Sequence, residues 1–146
     1  MSYVVKNINM AYTKTYINDL IYRINGAAIE VHKVLGPGLL ESVYHKCLMH
    51  ELKQRNIKFV SEMKVPLYYK GISIDTDMRC DLLVENLVPV ELKSVSEILP
   101  IHEAQILTYM QLLDLPKGLL LNFNVLNLFH EGQRTFVNEI YREVPE

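Results

Sequence analysis

The chain has 146 residues, of which 49% are apolar and 22% are charged, and its formal net charge is −2. These values are typical of one folded domain with one core, and they exclude a disordered or fibrous chain. The small negative charge gives no overall attraction to nucleic acid, so binding of that kind would need a local basic patch.

Cysteine usage and the first residues bear on the compartment. Cys47 and Cys80 lie in apolar runs without the paired spacing of a zinc site or a disulfide framework, so we expect buried thiols in a reducing compartment, which favours the cytoplasm. Residues 1–16 lack the charged and apolar regions of a signal peptide, and no apolar run is long enough to span a bilayer. We expect an N-terminal arm at 1–16, a single domain at 17–146, and no membrane partner.

The first half of the domain predicts two helices and three strands. Apolar residues recur at three- and four-residue steps over 17–35, which predicts an amphipathic helix that ends at Gly36. A second helix is predicted over 39–54 by the same spacing. Strand-like segments follow, and consecutive strands favour an antiparallel meander. These segments are 57–69, 72–84 and 87–95.

In the second half the apolar period changes again. Residues 97–115 predict a third helix, and the nearly continuous apolar run at 118–129 predicts a strand covered on both faces. A right-handed crossover would place this strand beside the one at 87–95. A last strand at 135–141 is predicted at one edge, where it could pair with a second copy as a homodimer. The predicted fold class is α/β, with a mixed central sheet and an extra N-terminal helix.

Charged residues interrupt the hairpin predicted at 80–95. Asp81 lies near the start of its first strand, and Glu91 and Lys93 lie near the end of its second. A turn at 85–87 places Asp81 opposite Glu91, where two like charges destabilise the pair unless a cation lies between them. Lys93 lies two residues further along on the same face. The pairs predicted inside this register are Val84 with Val88 and Leu82 with Val90.

Two converging carboxylates are typical of a site for a hard dication such as Mg²⁺. A lysine beside that ion can orient or deprotonate a water molecule that attacks a phosphate, which is the chemistry of phosphodiester hydrolysis. Pro89 could introduce a bulge that shifts the register by one residue. The alternative interpretation is that Asp81, Glu91 and Lys93 form a structural ion cluster or lie on the solvated face of an edge strand.

Two helical stretches offer further candidates. Glu41, in the first turn of the second helix, shares a face with apolar residues and could supply a third carboxylate, although the helix dipole alone explains an acid there. Tyr44 could hold Glu41 in place or be a plain core residue. Gln105 and Tyr109, one turn apart, could contact a nucleic-acid backbone or a water molecule; a surface glutamine and a core tyrosine are the alternative. His102 shares their side and could touch a phosphate.

The segment GLLESVY at 38–44 matches the signature of the GxxExxY protein family, and the chain resembles that family over about residues 17–140. The resemblance extends through RCDLLVENLVPVELKSV and IHEAQILTYMQLLDLPKGLLLNFN. GxxExxY proteins are grouped with the PD-(D/E)XK nuclease superfamily. The resemblance implies a restriction-endonuclease-like core of a helix, three strands, a helix and a fourth strand. It also implies a nuclease of DNA or RNA that depends on Mg²⁺ or Mn²⁺.

Individual roles follow from the resemblance. Asp81 and Glu91 match the metal-binding acids, Lys93 matches the motif lysine, and Cys80 stands where the superfamily name has Pro. Glu41 matches a helical acid of several branches, and Gln105 with Tyr109 resembles the QxxxY element of the exonuclease-like branch. The candidate metal ligands are Glu41, Asp81, Glu91 and the backbone carbonyl of Leu92, which lies between two side chains turned toward the metal. The candidate catalytic residues are Glu41, Asp81, Glu91, Lys93 and Gln105, with His102 and Tyr109 as candidate substrate contacts.

A second function remains open at this stage. A non-catalytic module of the same fold could bind nucleic acid or a protein partner, and the negative net charge and small size favour it. Salt-dependent binding of nucleic acid without cleavage would distinguish this module from a nuclease.

Overall fold

A computed structural model describes residues 12–146, so residues 1–11, most of the predicted N-terminal arm, lie outside the described residues. The first helix begins three residues earlier than its apolar period indicated, because the Thr13 side chain accepts the Tyr16 N–H and caps it. The helices are α1 (Lys14–Leu35), α2 (Glu41–Gln54), α3 (Pro100–Leu112) and α4 (Glu139–Glu143). The strands are β1 (Phe59–Lys64), β2 (Leu67–Tyr69), β3 (Ile72–Ile74), β4 (Arg79–Val84), β5 (Val88–Lys93), β6 (Lys117–Asn122) and β7 (Gln133–Val137).

The main sheet is mixed, with strand order β1-β4-β5-β6-β7. Strands β1, β4 and β5 pair antiparallel, β5 and β6 pair parallel, and β7 pairs antiparallel with β6 at one edge. Helix α3 provides the crossover that a parallel pair needs. The predicted α/β class is confirmed: α2, the strands, α3 and β6 occur in the order of a restriction-endonuclease-like fold, and α1 precedes them.

Two predicted strands are interrupted. The segment 57–69 divides at Pro66 into β1 and β2, because proline has no N–H to give to a ladder. The segment 72–84 divides into β3 and β4, and the Thr76 hydroxyl accepts the Met78 N–H between them. Strands β2 and β3 pair with each other in a separate two-stranded sheet. The chain from β1 to β4 is therefore one long hairpin, in which β1 pairs with β4 and β2 pairs with β3.

Two predicted strand ends were wrong. The run at 118–129 is a strand only as far as Asn122, and a π-helical turn follows at Leu128–Gly132. The strand predicted at 135–141 ends at Val137. The Asn138 side chain then accepts the N–H groups of the next residues and begins α4, so a helix cap overrides the β-forming residues that follow.

The main core lies between α1, α2 and one face of the sheet. Strand residues that alternate along β4, β5 and β6 all belong to it, among them Leu82, Val90 and Leu119. Helix α3 covers the opposite face, where Gly118 leaves no room for a side chain: a Cβ there would lie 2.9 Å from Met110 Sδ. No helix within residues 12–146 is long and apolar enough to cross a membrane.

Tyr44 fixes the chain that leads into α2. Its ring is fully buried and stacks on Phe123, with 4.5 Å between ring centroids and 10° between ring planes. Its hydroxyl donates to the Gly36 carbonyl (2.5 Å) and accepts the Leu39 N–H (3.2 Å). The turn before Glu41 is therefore held from inside the core.

We expect Tyr44→Phe to lower the free energy of unfolding by about 1–3 kcal/mol, because the carbonyl of Gly36 and the N–H of Leu39 lose their partner. Urea unfolding followed by circular dichroism measures this change. Tyr22→Phe is the matched control, since Tyr22 lies on α1 with 76% of its surface exposed. Equal unfolding midpoints for the two variants would show that the hydroxyl does not hold the turn.

Candidate active site

The strands β4 and β5 separate at the end of a short ladder. Leu82 pairs with Val90 and Val84 with Val88, as the turn at 85–87 predicted, so Pro89 does not shift the register. Beyond the ladder, Asp81 lies in register opposite Glu91. We call the part of β4 and β5 beyond the ladder, at Asp81 and Glu91, the fork.

At the fork each acid accepts a hydrogen bond from a backbone N–H of the facing strand. The Asp81 N–H donates to Glu91 Oε2 (2.9 Å), and the Leu92 N–H donates to Asp81 Oδ2 (2.8 Å). One oxygen of each carboxylate is thus fixed by the backbone. Because the two bonds are reciprocal, the acids hold the strands in register while replacing the next rung of the ladder.

The two carboxyl groups at the fork ionise less readily than free ones. Glu91 is only 3% exposed, and burial, followed by the charge of Asp81, raises the pKa of Glu91 from 4.5 to about 8. Burial also raises the pKa of Asp81, although the Leu92 N–H and the charges of His45 and Lys93 act in the opposite direction. Two carboxyl groups that resist ionisation in this way would be stabilised as anions by a nearby cation.

Glu41, in the first turn of α2, has an exposed side chain that is near enough to Asp81 for their charges to interact. Partial burial and the charge of Asp81 raise the pKa of Glu41, while Lys93 and His45 lower it. The Ser94 hydroxyl donates to the Leu39 carbonyl (2.6 Å) and so joins the end of β5 to the residues before α2. Glu41 therefore adds a third acid to the region, on an element tied to the strand of Glu91.

The residues predicted on α3 reach the site through Lys93. The Lys93 ammonium donates to Gln105 Oε1 (3.3 Å), and Gln105 Nε2 donates to the Tyr109 hydroxyl (3.2 Å). Burial raises the pKa of Tyr109, which is 4% exposed, so its hydroxyl stays protonated. Gln105 and Tyr109 therefore hold the ammonium group of Lys93 through a chain of two hydrogen bonds. A contact between these residues and nucleic acid or water stays a prediction.

Two other predicted site residues, His102 and Leu92, make contacts within the fold. His102 Nδ1 accepts the Leu99 N–H (2.9 Å), so this ring nitrogen caps the start of α3, and the residue is half-buried. Leu92 is buried between Glu91 and Lys93 and gives its N–H to Asp81. A phosphate contact for His102 and a metal bond for the Leu92 carbonyl both stay predictions.

Two residues beside Asp81, His45 and Glu62, were not predicted from the sequence. His45, Glu62 and Asp81 each offer a ligand atom within 4.8 Å of the other two, the one such group of three that residues 12–146 contain. Glu41 and Glu91 are outside this group. His45 could have been noticed as the residue one turn after Glu41, whereas Glu62 meets Asp81 only through the β1–β4 register.

Asn122 is a further positioning residue that the sequence reasoning missed. It is 3% exposed and lies beside Lys93 in the β5–β6 ladder. Its Oδ1 accepts the Val95 N–H (3.1 Å), and its Nδ2 donates to the Val95 carbonyl (3.0 Å). The amide thus clamps the chain that leaves Lys93, and its signal in the sequence is a polar side chain within an apolar run.

The arrangement of an Asp, a Glu and a Lys around a fork of two strands can be compared with known families. A family model described as the PD-(D/E)XK nuclease superfamily matches residues 18–135. The chain belongs to this superfamily. No curated protein and no solved structure matches it.

Nucleases of the PD-(D/E)XK superfamily generally use divalent metal ions, and the one group of three ligand side chains found within residues 12–146 is His45, Glu62 and Asp81. Asp81 and Glu91 offer carboxylate oxygens, the ligands that hard dications prefer. Burial raises the pKa of both carboxyl groups, so a nearby cation would favour their ionised forms.

Without added metal, we expect the free energy of unfolding to fall as the pH rises from 5 to 8. Glu91 is protonated in the folded state up to about pH 8 but ionises from about 4.5 when unfolded, so the unfolded state binds fewer protons over this window. Urea unfolding in EDTA at several pH values measures the slope.

Glu91→Gln should flatten this pH dependence, and the exposed Glu97→Gln should leave it unchanged. Added Mg²⁺ or Mn²⁺ should restore stability at pH 8, because a ligand that binds only the folded state stabilises it. The same slope in the wild type and in Glu91→Gln would contradict the charge balance described for the fork.

Proposed function

We propose that this PD-(D/E)XK protein is a metal-dependent nuclease of the GxxExxY group that hydrolyses phosphodiester bonds in DNA or RNA. The observation that carries the proposal is the fork, where Asp81 and Glu91 exchange backbone hydrogen bonds and Lys93 follows on the same strand. Superfamily membership supports the same chemistry.

The signature GxxExxY has a structural rationale that supports the finer assignment. Gly38 has φ 98°, a conformation that side chains rarely adopt, and it lies in the turn before α2. Glu41 is near enough to Asp81 for their charges to interact, and Tyr44 ties the turn to the core. We infer that the three signature positions together keep the Glu41 carboxylate near Asp81.

The residues that would hold Mg²⁺ or Mn²⁺ are Asp81 and Glu91, with Glu41 and the carbonyl of Leu92 as further candidates. When bound, such a dication supplies Lewis acidity and positive charge at the scissile phosphate. Because Glu91 is buried and Asp81 half-buried, their carboxylates are held away from bulk water and need little reorganisation to act as ligands.

Lys93 performs the part of the chemistry that belongs to the chain itself. Its ammonium group can hydrogen-bond the attacking water and offset negative charge that develops on the phosphate. Gln105 fixes the direction of this group by accepting one of its protons, and Tyr109 fixes the amide of Gln105 in turn. Since an ammonium group has three protons, two remain for water and substrate.

Compartment and assembly belong to the proposal as well. We propose the cytoplasm, because Cys47 and Cys80 are free and burial raises the pKa of the Cys80 thiol to about 12, which makes that thiol unreactive. We also propose that β7, an edge strand, is where a homodimer would pair. Neither point affects the chemistry at the fork.

Lys93→Ala is expected to lower cleavage by about 10²-fold or more, because the water and the phosphate lose their ammonium partner. The assay uses labelled single- and double-stranded DNA and RNA with Mg²⁺ or Mn²⁺. Lys33→Ala, an exposed lysine at the end of α1, is the control. A wild-type rate for Lys93→Ala would reject this mechanism. Salt-dependent binding without cleavage under either metal would instead favour the non-catalytic module.

Gln105→Ala should lower kcat about 10- to 100-fold with a smaller change in KM, because the lysine loses its fixed direction while the ligands stay in place. Gln111→Ala, an exposed glutamine on the same helix, is the matched control. An effect of Gln105→Ala on KM alone would indicate that the amide contacts the nucleic acid rather than positions Lys93.

A further inference from the structure

We propose that His45, Glu62 and Asp81 form a second cation position that prefers a transition-metal dication such as Mn²⁺ to Mg²⁺. The proposal rests on the proposed function in one respect, since Asp81 belongs to both positions. Neither His45 nor Glu62 has a part in the mechanism described above, so the second position adds a cation to the site rather than restating the first.

The spacing of the three side chains is that of a ligand set. Their ligand atoms lie within 4.8 Å of one another, and they come from three different elements, α2, β1 and β4. Two ligands of one ion, each at a bond length of about 2.2 Å, are at most about 4.4 Å apart. Small side-chain rotations therefore suffice to close the set around an ion.

The imidazole of His45 has the surroundings of a metal ligand. It is 9% exposed, its Nε2 lies 3.1 Å from the Ser61 hydroxyl, and its Nδ1 lies 3.6 Å from Glu62 Oε2. Histidines that bind metals commonly donate their other ring N–H to a nearby oxygen. When Nε2 donates to Ser61, the lone pair of Nδ1 is directed toward the two carboxylates.

The backbone of Glu62 departs from the regular β1–β4 ladder. Residues 61 and 63 pair with Leu82 and Cys80 in the β1–β4 ladder, but Glu62, in register opposite Asp81, does not pair and has φ 54°. A non-glycine residue adopts this conformation inside a strand only at a conformational cost.

The nitrogen ligand sets the preference for the metal. Mg²⁺ binds oxygen ligands and keeps its water, whereas an imidazole nitrogen favours transition-metal dications, among which Mn²⁺ is the weakest binder. Asp81 and Glu62 supply oxygens that suit either class, so His45 is the residue that discriminates. An ordinary ion pair between His45 and Glu62 is the competing explanation, and it would bind no metal.

The test is metal binding by the full chain, measured without nucleic acid. Metal-free protein is titrated with Mn²⁺ by calorimetry, and bound Mn²⁺ is examined by pulsed electron paramagnetic resonance for coupling to a ¹⁴N nucleus. We expect a ¹⁴N signal in the wild type, and a Mn²⁺ affinity about tenfold or more above that for Mg²⁺.

Variants separate the second position from the first. His45→Gln should abolish the ¹⁴N signal, and Glu62→Gln should weaken Mn²⁺ binding about tenfold or more, with Mg²⁺ affinity changed less than about twofold. Glu62 is exposed, so its variant should fold as the wild type does. His50→Gln, an exposed histidine on α2, is the matched control and should change nothing.

Two results would overturn the proposal: no ¹⁴N signal in the wild type, or Mn²⁺ affinity equal in the wild type and both variants. Either would leave His45 and Glu62 as an ion pair. The nuclease proposal fails separately. A ¹⁴N signal without cleavage upholds the second position and removes the nuclease, whereas cleavage with Mg²⁺ and no ¹⁴N signal does the reverse.

Discussion

The reciprocal hydrogen bonds between Asp81 and the strand of Glu91 are the constraint on which the site depends. The backbone ladder between β4 and β5 ends at Leu82 and Val90. At the next pair of residues, each carboxylate replaces a backbone acceptor of the facing strand. Without a cation, the same bonds bring two acids together where burial opposes ionisation. The atoms that hold the two strands in register are therefore also atoms of the proposed metal site.

Four polar contacts from other elements keep the fork in place. Tyr44 holds the turn before α2, Ser94 joins that turn to the end of β5, and Asn122 clamps the chain after Lys93. Gln105 holds the ammonium group of Lys93 itself. Each contact involves a side chain that is buried or half-buried, so the supports lie within the packed molecule. Such a shell is what functional groups need to stay in a working geometry.

The sequence was sufficient where short-range rules decide the structure. The register of the β4–β5 hairpin followed from its turn, and the parallel neighbour β6 followed from a helical crossover. Glu62 could not be found in this way, because the β2–β3 hairpin separates β1 from β4 and hides their register. The end of β7 was missed because the capping side chain of Asn138 outweighs the strand propensity of the residues after it.

The close approach of α3 to β6 at Gly118 limits how this protein can adapt. Met110 and Ile106 fill the space above the glycine, so a side chain at 118 would require these two residues of α3 to shift. The glycine thus allows the helix that carries Gln105 to pack closely on the strand beside Lys93.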